Sequence, residues 1–302
     1  MINKHQYDAI IIGGSYAGLA AGMALGRALR SVLIIDSGEP CNRQTPWSHN
    51  FITQDGQAPK EITALAKQQL AKYDTVVLFN GKAIRAVKTE TGFEIQTETR
   101  ESFTTRKIIF AAGIKDIIPA IAGFSECWGI SVLHCPYCHG YEVRGQKTGI
   151  VANGDDGFAL SKLISNWTND LTLYTNGRST LTNEQTASLQ RHNISIKEDE
   201  IVRLVHKNGY LQDVIFKNAT SAFVKAIYTR VPFVQHCIIP EHAGCALTSD
   251  GYINVDPLQR TNIPGVFACG DSTTRIRTIA NAVASGTTTG MMVNKELIEE
   301  DF

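Results

Sequence analysis

Apolar positions fall in short runs that mark strands, separated by Gly-bearing turns and stretches of helical period. Ala9-Ile10-Ile11-Ile12 and Val32-Leu33-Ile34-Ile35 are continuous apolar runs, the pattern of parallel strands buried on both faces. Between them, Gly13-Gly14-Ser15-Tyr16-Ala17-Gly18 opens a helical stretch through Leu29. The same order recurs later: a strand at Thr148–Val151, a turn to Gly157, a helix from Phe158 to Trp167, and a strand at Leu171–Tyr174. Val266-Phe267-Ala268 predicts a further short strand, followed by a helix from about Ile276 to Leu297. Ile62, Leu65, Ala66 and Leu70 recur at helical spacing, so 58–73 reads as an amphipathic helix. Phe93–Gln96 and Val202 to Phe216 read as antiparallel strands, and no repeat exists beyond the two strand–turn–helix units. The pattern predicts an α/β fold of two Rossmann-like units. The 302 residues also exceed the ~250–300 at which single cores stop growing.

The first turn carries chemistry. A dinucleotide fingerprint needs Gly for the tight turn, Gly where backbone nears the pyrophosphate, which makes the small Ser15 a departure, and Gly or Ala where helix meets strand. Gly13 and Gly18 fit the first and third roles, Ser15 takes the second, and Tyr16 and Ala17 lie within the loop. Asp36 ends the next strand at the spacing expected of a ribose-binding acid. A nucleophile elbow on Ser15 is the rival reading, but that motif requires Gly where Ala17 stands.

Cys135-Pro136-Tyr137-Cys138-His139 supplies the second chemistry. Two cysteines three positions apart can close a small disulfide, with Pro136 shaped for the first turn of a helix. A helix N-terminus favours thiolate, the reactive form of cysteine. His139 is then either a proton carrier near neutral pH or a packing residue, and His134 reads as orienting. The string also spells a covalent haem signature, which belongs to exported proteins. The polar start, Met1 to Gln6, gives no sign of a signal peptide. No second spaced pair completes a zinc site, so no metal is expected. Lys+Arg and Asp+Glu both number 29, giving no electrostatic case for nucleic acid, and no apolar run reaches the ~20 residues of a membrane span. Seven cysteines without regular pairing suit the cytoplasm, with Cys41, Cys127, Cys237, Cys245 and Cys269 expected as small buried hydrophobes.

Three segments in order, IIIGGSYAGLAAG, CPYCHGYEVRG and TNIPGVFACGD, resemble the low-molecular-weight thioredoxin reductase family over essentially the full length. The resemblance implies two Rossmann-like nucleotide-binding domains of three-layer ββα type, the second inserted in the first. Residues 1–115 and 235–302 would form the FAD domain, and 116–234 an NAD(P)-binding-like domain carrying the CxxC. FAD would then lie on Gly13, Ser15, Tyr16, Ala17, Gly18 and Asp36. Asn42, Arg43 and His49 fall in the loop that covers the cofactor in relatives. Ala112-Gly113 marks the strand end where the chain leaves, Gly270-Asp271 would hold the ribityl chain, and Arg277, Thr278 and Ile279 would approach the ring. Cys135 would exchange with substrate while Cys138 faces the flavin. The implied partners are a thioredoxin-like protein or a small dithiol or disulfide, in a homodimer.

Departures from the family pattern fall where they bear on the reaction. Ala152 stands at the first Gly of the second turn, and Asp155 and Asp156 add negative charge where a phosphate should meet N–H groups. Tyr174-Thr175-Asn176-Gly177 replaces a basic run, leaving Arg178 nearby, so NADPH, NADH, another donor and no pyridine nucleotide all stay open. His139 stands where reductases usually place Asp. CPYCHGYE resembles a subgroup that includes oxidases of small-molecule dithiols, which pass electrons through FAD to oxygen. The reductase direction and this oxidase direction are both expectations of the sequence.

Overall fold

A computed structural model of the chain describes residues 6–302. Residues 1–5, on which the reading of the chain start rests, lie outside it. The chain separates into two compact units. The first comprises 6–43, Gln57–Lys115 and Phe233–Phe302; the second comprises Gln44–Gly56 and Asp116–Pro232. The expected insert of 116–234 did not include 44–56, which groups with the second unit.

In the first unit, strand Gln6–Ile12 pairs in parallel with Val32–Asp36 on one side and Ser102–Phe110 on the other. Strand Val76–Asn80 extends the parallel edge. Ser102–Phe110 divides its partners along its length. Its first half pairs antiparallel with Gly92–Thr97, itself paired with Ala83–Thr89, and its second half takes Val266–Ala268 in parallel. Ile12, Phe110 and Ala268 therefore end side by side. Burial explains the strands: Ala9, Ile10, Ile34, Ile108 and Ala268 are all inaccessible, as the unbroken apolar runs predicted.

Helix Tyr16–Arg27 packs against the last helix, Ile279–Asp301, through small residues. A Cβ on Gly286 would lie 2.1 Å from the Ala17 carbonyl oxygen, so only Gly permits this approach. The last helix starts later than its sequence pattern suggested because Thr278 caps it, accepting the Asn281 N–H at 3.1 Å. Its far end is tied to the sheet by Lys107, buried in Ser102–Phe110, which reaches Glu296 at 2.9 Å and Glu300 at 2.6 Å. Helix Pro59–Leu70 has Pro59 in its first turn and turns Ile62 and Leu70 inward.

The second unit is built on a five-stranded parallel sheet in the order Ser195–Lys197, Leu171–Tyr174, Thr148–Val151, Ala226–Thr229, Val132–Leu133. Helices Gly154–Ile164 and Asn183–Arg191 belong to it. The expected antiparallel region resolves into Ile201–Lys207 and Tyr210–Phe216 around Asn208-Gly209, both at positive φ, with Ser221–Phe223 alongside. An Asn-Gly pair is the preferred connection for such a hairpin.

Candidate active site

The carboxyl ends of three parallel strands carry the glycine turn of the first unit. Gly13 sits at φ 110°, donates to the Ile35 carbonyl at 2.8 Å, and would drive a Cβ to 2.3 Å from the Ala111 oxygen. A Cβ on Gly18 would stand 1.8 Å from the Gly13 oxygen, which fixes helix against strand. Ser15 is extended, and Tyr16–Arg27 begins with no acid in its first turn, so its N–H groups favour an anion. Asp36 is set by its neighbours: Oδ1 accepts N–H bonds from Gly14 at 3.2 Å and Gly38 at 3.3 Å, and Oδ2 meets Lys67 at 3.1 Å. Gly14 is required here, since a Cβ would approach the Asp36 carboxyl within 2.8 Å.

Apart from His49, which belongs to the second unit, the remaining residues expected to hold the cofactor converge on the same end of this sheet. Gly270, at φ 75°, donates to Ser285 Oγ at 3.1 Å and leaves no room for a Cβ beside Ala17. Asp271 follows in a short 3-10 turn, with Arg277 Nε 3.9 Å and Cys41 Sγ 3.7 Å from its Oδ2. Asn42 donates to the Tyr16 hydroxyl at 3.4 Å, while Arg43 reaches back to the Pro40 carbonyl. His236 approaches the Ala112 carbonyl at 3.3 Å and Glu39 at 3.6 Å, one residue before Gly113. Thr278 and Ile279 start the last helix. This cradle fits FAD: Gly13, Ser15 and Gly18 would admit the pyrophosphate, Asp36 a ribose and Asp271 the ribityl chain. Sequence reading passed over Gly14, Glu39, Lys67 and His236. Only the doubled glycine signalled the first; the others are joined to the turn by the fold alone.

Of the five other cysteines, Cys127, Cys245 and Cys269 are buried and Cys237 is partly so, whereas Cys41 is exposed, contrary to expectation. Burial pushes the Cys269 thiol up to about 12, which makes it inert as a nucleophile.

The disulfide turn lies in the second unit. Cys135 and Cys138 are bonded, with Cα atoms 5.3 Å apart, and Cys138 donates its N–H to Cys135 Sγ at 3.2 Å. The expected helix is a single turn, Pro136–His139, so its dipole offers little thiolate stabilisation. Gly140 closes the turn against Trp167, whose Nε1 would be 2.7 Å from an added Cβ. Tyr137 packs edge-on to Trp167 at 5.5 Å, and His134 stacks on Trp128 at 5.9 Å. His139 stands 6.4 Å from His49, rings perpendicular. Burial, and then the charge of His49, push His139 down to about 4, so near neutral pH it is an uncharged base. His49, grouped by sequence with Asn42 and Arg43, makes its contacts within this unit.

The second turn is already occupied by its own side chains. Helix Gly154–Ile164 begins four residues before the sequence suggested, because Asn153 caps it. Asn153 Oδ1 accepts the N–H groups of Gly154 at 2.9 Å and Thr180 at 2.8 Å, and Nδ2 donates to the Arg178 carbonyl at 2.9 Å. Asp155 takes Gln185 at 2.7 Å and Asp156 takes Arg230 at 3.2 Å. Near Arg178, Ser179 donates its N–H to Glu198 at 3.2 Å. Two carboxylates in the first turn disfavour a further anion at this helix start. Asn153→Ala is expected to lower stability by about 1–2 kcal/mol, read as a reduced urea midpoint.

Among the described residues, no cluster of three or more His, Cys, Asp or Glu could hold a metal, and no helix is long and apolar enough to cross a membrane. Residues 7–286 match the family described as pyridine nucleotide-disulphide oxidoreductase. The thioredoxin reductase tcpT of Claviceps purpurea is 29% identical over 99% of this chain and 97% of that protein. An oxidoreductase from Agrobacterium tumefaciens is 33% identical with a TM-score of 0.91, covering 97% of this chain and 99% of the other. A putative thioredoxin reductase, TrxB, from Bacillus anthracis is 30% identical with a TM-score of 0.93, covering 98% and 100%. The chain belongs to the pyridine nucleotide-disulphide oxidoreductases, on their thioredoxin reductase-like side, and is a flavin-dependent disulfide oxidoreductase.

Proposed function

We propose that Cys135 and Cys138 are the redox-active pair and that electrons run from a small-molecule dithiol through this disulfide to FAD. The observation that carries the direction is the second turn, where Asn153 caps the helix start and Asp155 and Asp156 add negative charge that disfavours a nucleotide phosphate. When bound, FAD supplies the two-electron acceptor. The chain's own residues do the rest. A substrate thiol gives its proton to His139 and attacks Cys135, breaking the Cys135–Cys138 bond and releasing Cys138 as thiolate. The second substrate thiol attacks the substrate sulfur of the mixed disulfide and releases Cys135, which takes up that thiol's proton, while His139 passes the first proton to Cys138. Substrate leaves as a disulfide and both cysteines end as thiols. Tyr137 and Tyr141 stand exposed beside the turn, an aromatic surface that suits a small apolar dithiol. Oxygen would close the cycle as final acceptor.

A second reading is a reductase of a thioredoxin-like protein, supported by full-length likeness to thioredoxin reductases. A homodimer in a reducing cytoplasm accompanies either reading, supported by that likeness and by the seven cysteines without regular pairing.

Anaerobic mixing separates the two. NADPH and NADH are expected to leave the flavin absorbance unchanged, while dithiothreitol bleaches it and oxygen restores it. Rapid bleaching by either nucleotide would establish the reductase and remove the oxidase.

A further inference from the structure

We propose that His49 is a positioning partner of His139: held between Glu142 and Asp55, it presents a charge to that imidazole and keeps it the proton acceptor of the disulfide turn. The inference rests on the reading of Cys135 and Cys138 as the reactive pair, and it concerns a residue that no motif connects to them.

The geometry is local to one unit. Segment Gln44–Gly56 groups with the inserted unit and carries His49 to 6.4 Å from His139, edge to face. His49 Nε2 lies 3.5 Å from Glu142 Oε1, and Nδ1 lies 3.7 Å from Asp55 Oδ1. A proton on His49 thus faces a carboxylate at each ring nitrogen. His139 has no ion pair of its own among the described residues, and burial disfavours a charge on it. Two neighbouring imidazoles do not both charge cheaply, so a proton on His49, between its two carboxylates, disfavours one on His139.

The ionisable groups around the pair are few. On the turn itself, Cys135 and Cys138 are bonded and His134 is stacked on Trp128. In the following turn stand Glu142, Tyr141 and Arg144, whose guanidinium lies 3.7 Å over the Tyr141 ring. From the sheet, the buried Tyr228 hydroxyl interacts with Glu142 and is held well above the ordinary phenol range. Burial acts first on His139, and among these groups His49 is the neighbour whose charge would add to it.

The consequence is a sign. In the half-reaction, one substrate thiol proton passes to His139 and on to the leaving Cys138 thiolate, and the second passes to Cys135 as it leaves the mixed disulfide. Two electrons pass from the dithiol to the Cys135–Cys138 bond. A neutral His139 is needed, so the rate falls on the acid side as His139 charges. Removing the His49 charge raises the proton affinity of His139 and moves that acid limb upward; keeping a cation there holds it low.

Reduction of the wild-type, His49→Gln and His49→Lys holoenzymes by dithiothreitol, followed anaerobically between about pH 4 and pH 8, tests this. His49→Gln is expected to move the acid limb up by about half a pH unit or more, and His49→Lys to leave it at or below the wild-type position. Coincident profiles, or equal shifts in both variants, overturn the inference. Should His49→Gln not fold, proton NMR of the wild-type rings decides. The His139 signal should show a second inflection where His49 titrates, and its absence overturns the inference equally. A wild-type disulfide that dithiothreitol leaves intact would instead mean that the reading of the cysteine pair has failed.

Discussion

Cys138→Ser is expected to abolish dithiol-driven turnover while the purified protein stays yellow. Serine can neither close a disulfide with Cys135 nor depart as a thiolate, so electrons from substrate have no route onward. The loss should be at least about a thousandfold, as for removal of other covalent participants. Retention of colour follows from the architecture. The glycine turn, Asp36 and Asp271 are held by the first unit, whereas Cys138 belongs to the second. Cys127→Ala serves as the contrast, because Cys127 is buried and its thiol is pushed up by that burial. It should lose about 1 kcal/mol of stability and still turn over. Steady-state oxidation of dithiothreitol with oxygen, read beside the flavin spectrum, gives both quantities at once.

Gly18→Ala is expected to give colourless protein that does not regain FAD on reconstitution. Its Cβ would lie 1.8 Å from the Gly13 carbonyl oxygen, a backbone atom in the turn that meets the pyrophosphate. Relief requires the helix Tyr16–Arg27 to move off the strand Gln6–Ile12, which carries the helix N–H groups away from their place. Overpacking of this kind costs roughly 1–3 kcal/mol, and more where the neighbour is backbone. Gly38→Ala separates this effect from a general intolerance of lost glycine. Gly38 also has positive φ, 74°, but nothing lies within 4 Å of an added Cβ. It should cost about 1 kcal/mol and keep its flavin. Flavin content and melting temperature of the two proteins make the comparison.

The parts of this molecule legible in its sequence are those written locally. Four apolar residues before Gly13 and four before Asp36 announced two parallel strands, because both faces of each are buried. The Cys135–Cys138 pairing was legible as a possibility, because two cysteines three positions apart can close a small disulfide. Helix starts were less legible. A single Asn, acting through its side chain on Gly154 and Thr180, begins a helix four residues before its hydrophobic period shows. Contacts made by the fold were not legible at all. Lys67 reaches Asp36 across 31 positions, and His236 reaches Ala112 across 124. His49 is the sharpest case. Position along the chain grouped it with Asn42 and Arg43, yet its contacts are His139, Glu142 and Asp55. The loop Gln44–Gly56 packs with the unit inserted far downstream, and nothing in its composition announces that.

An anaerobic titration of the purified holoenzyme with dithiothreitol, following flavin absorbance and protein thiols together, tests the central claim most directly. One disulfide and one flavin each accept two electrons, so two equivalents of dithiol per chain are predicted, with two new protein thiols located at Cys135 and Cys138. Flavin that bleaches fully at one equivalent while Cys135 and Cys138 remain bonded would contradict the account.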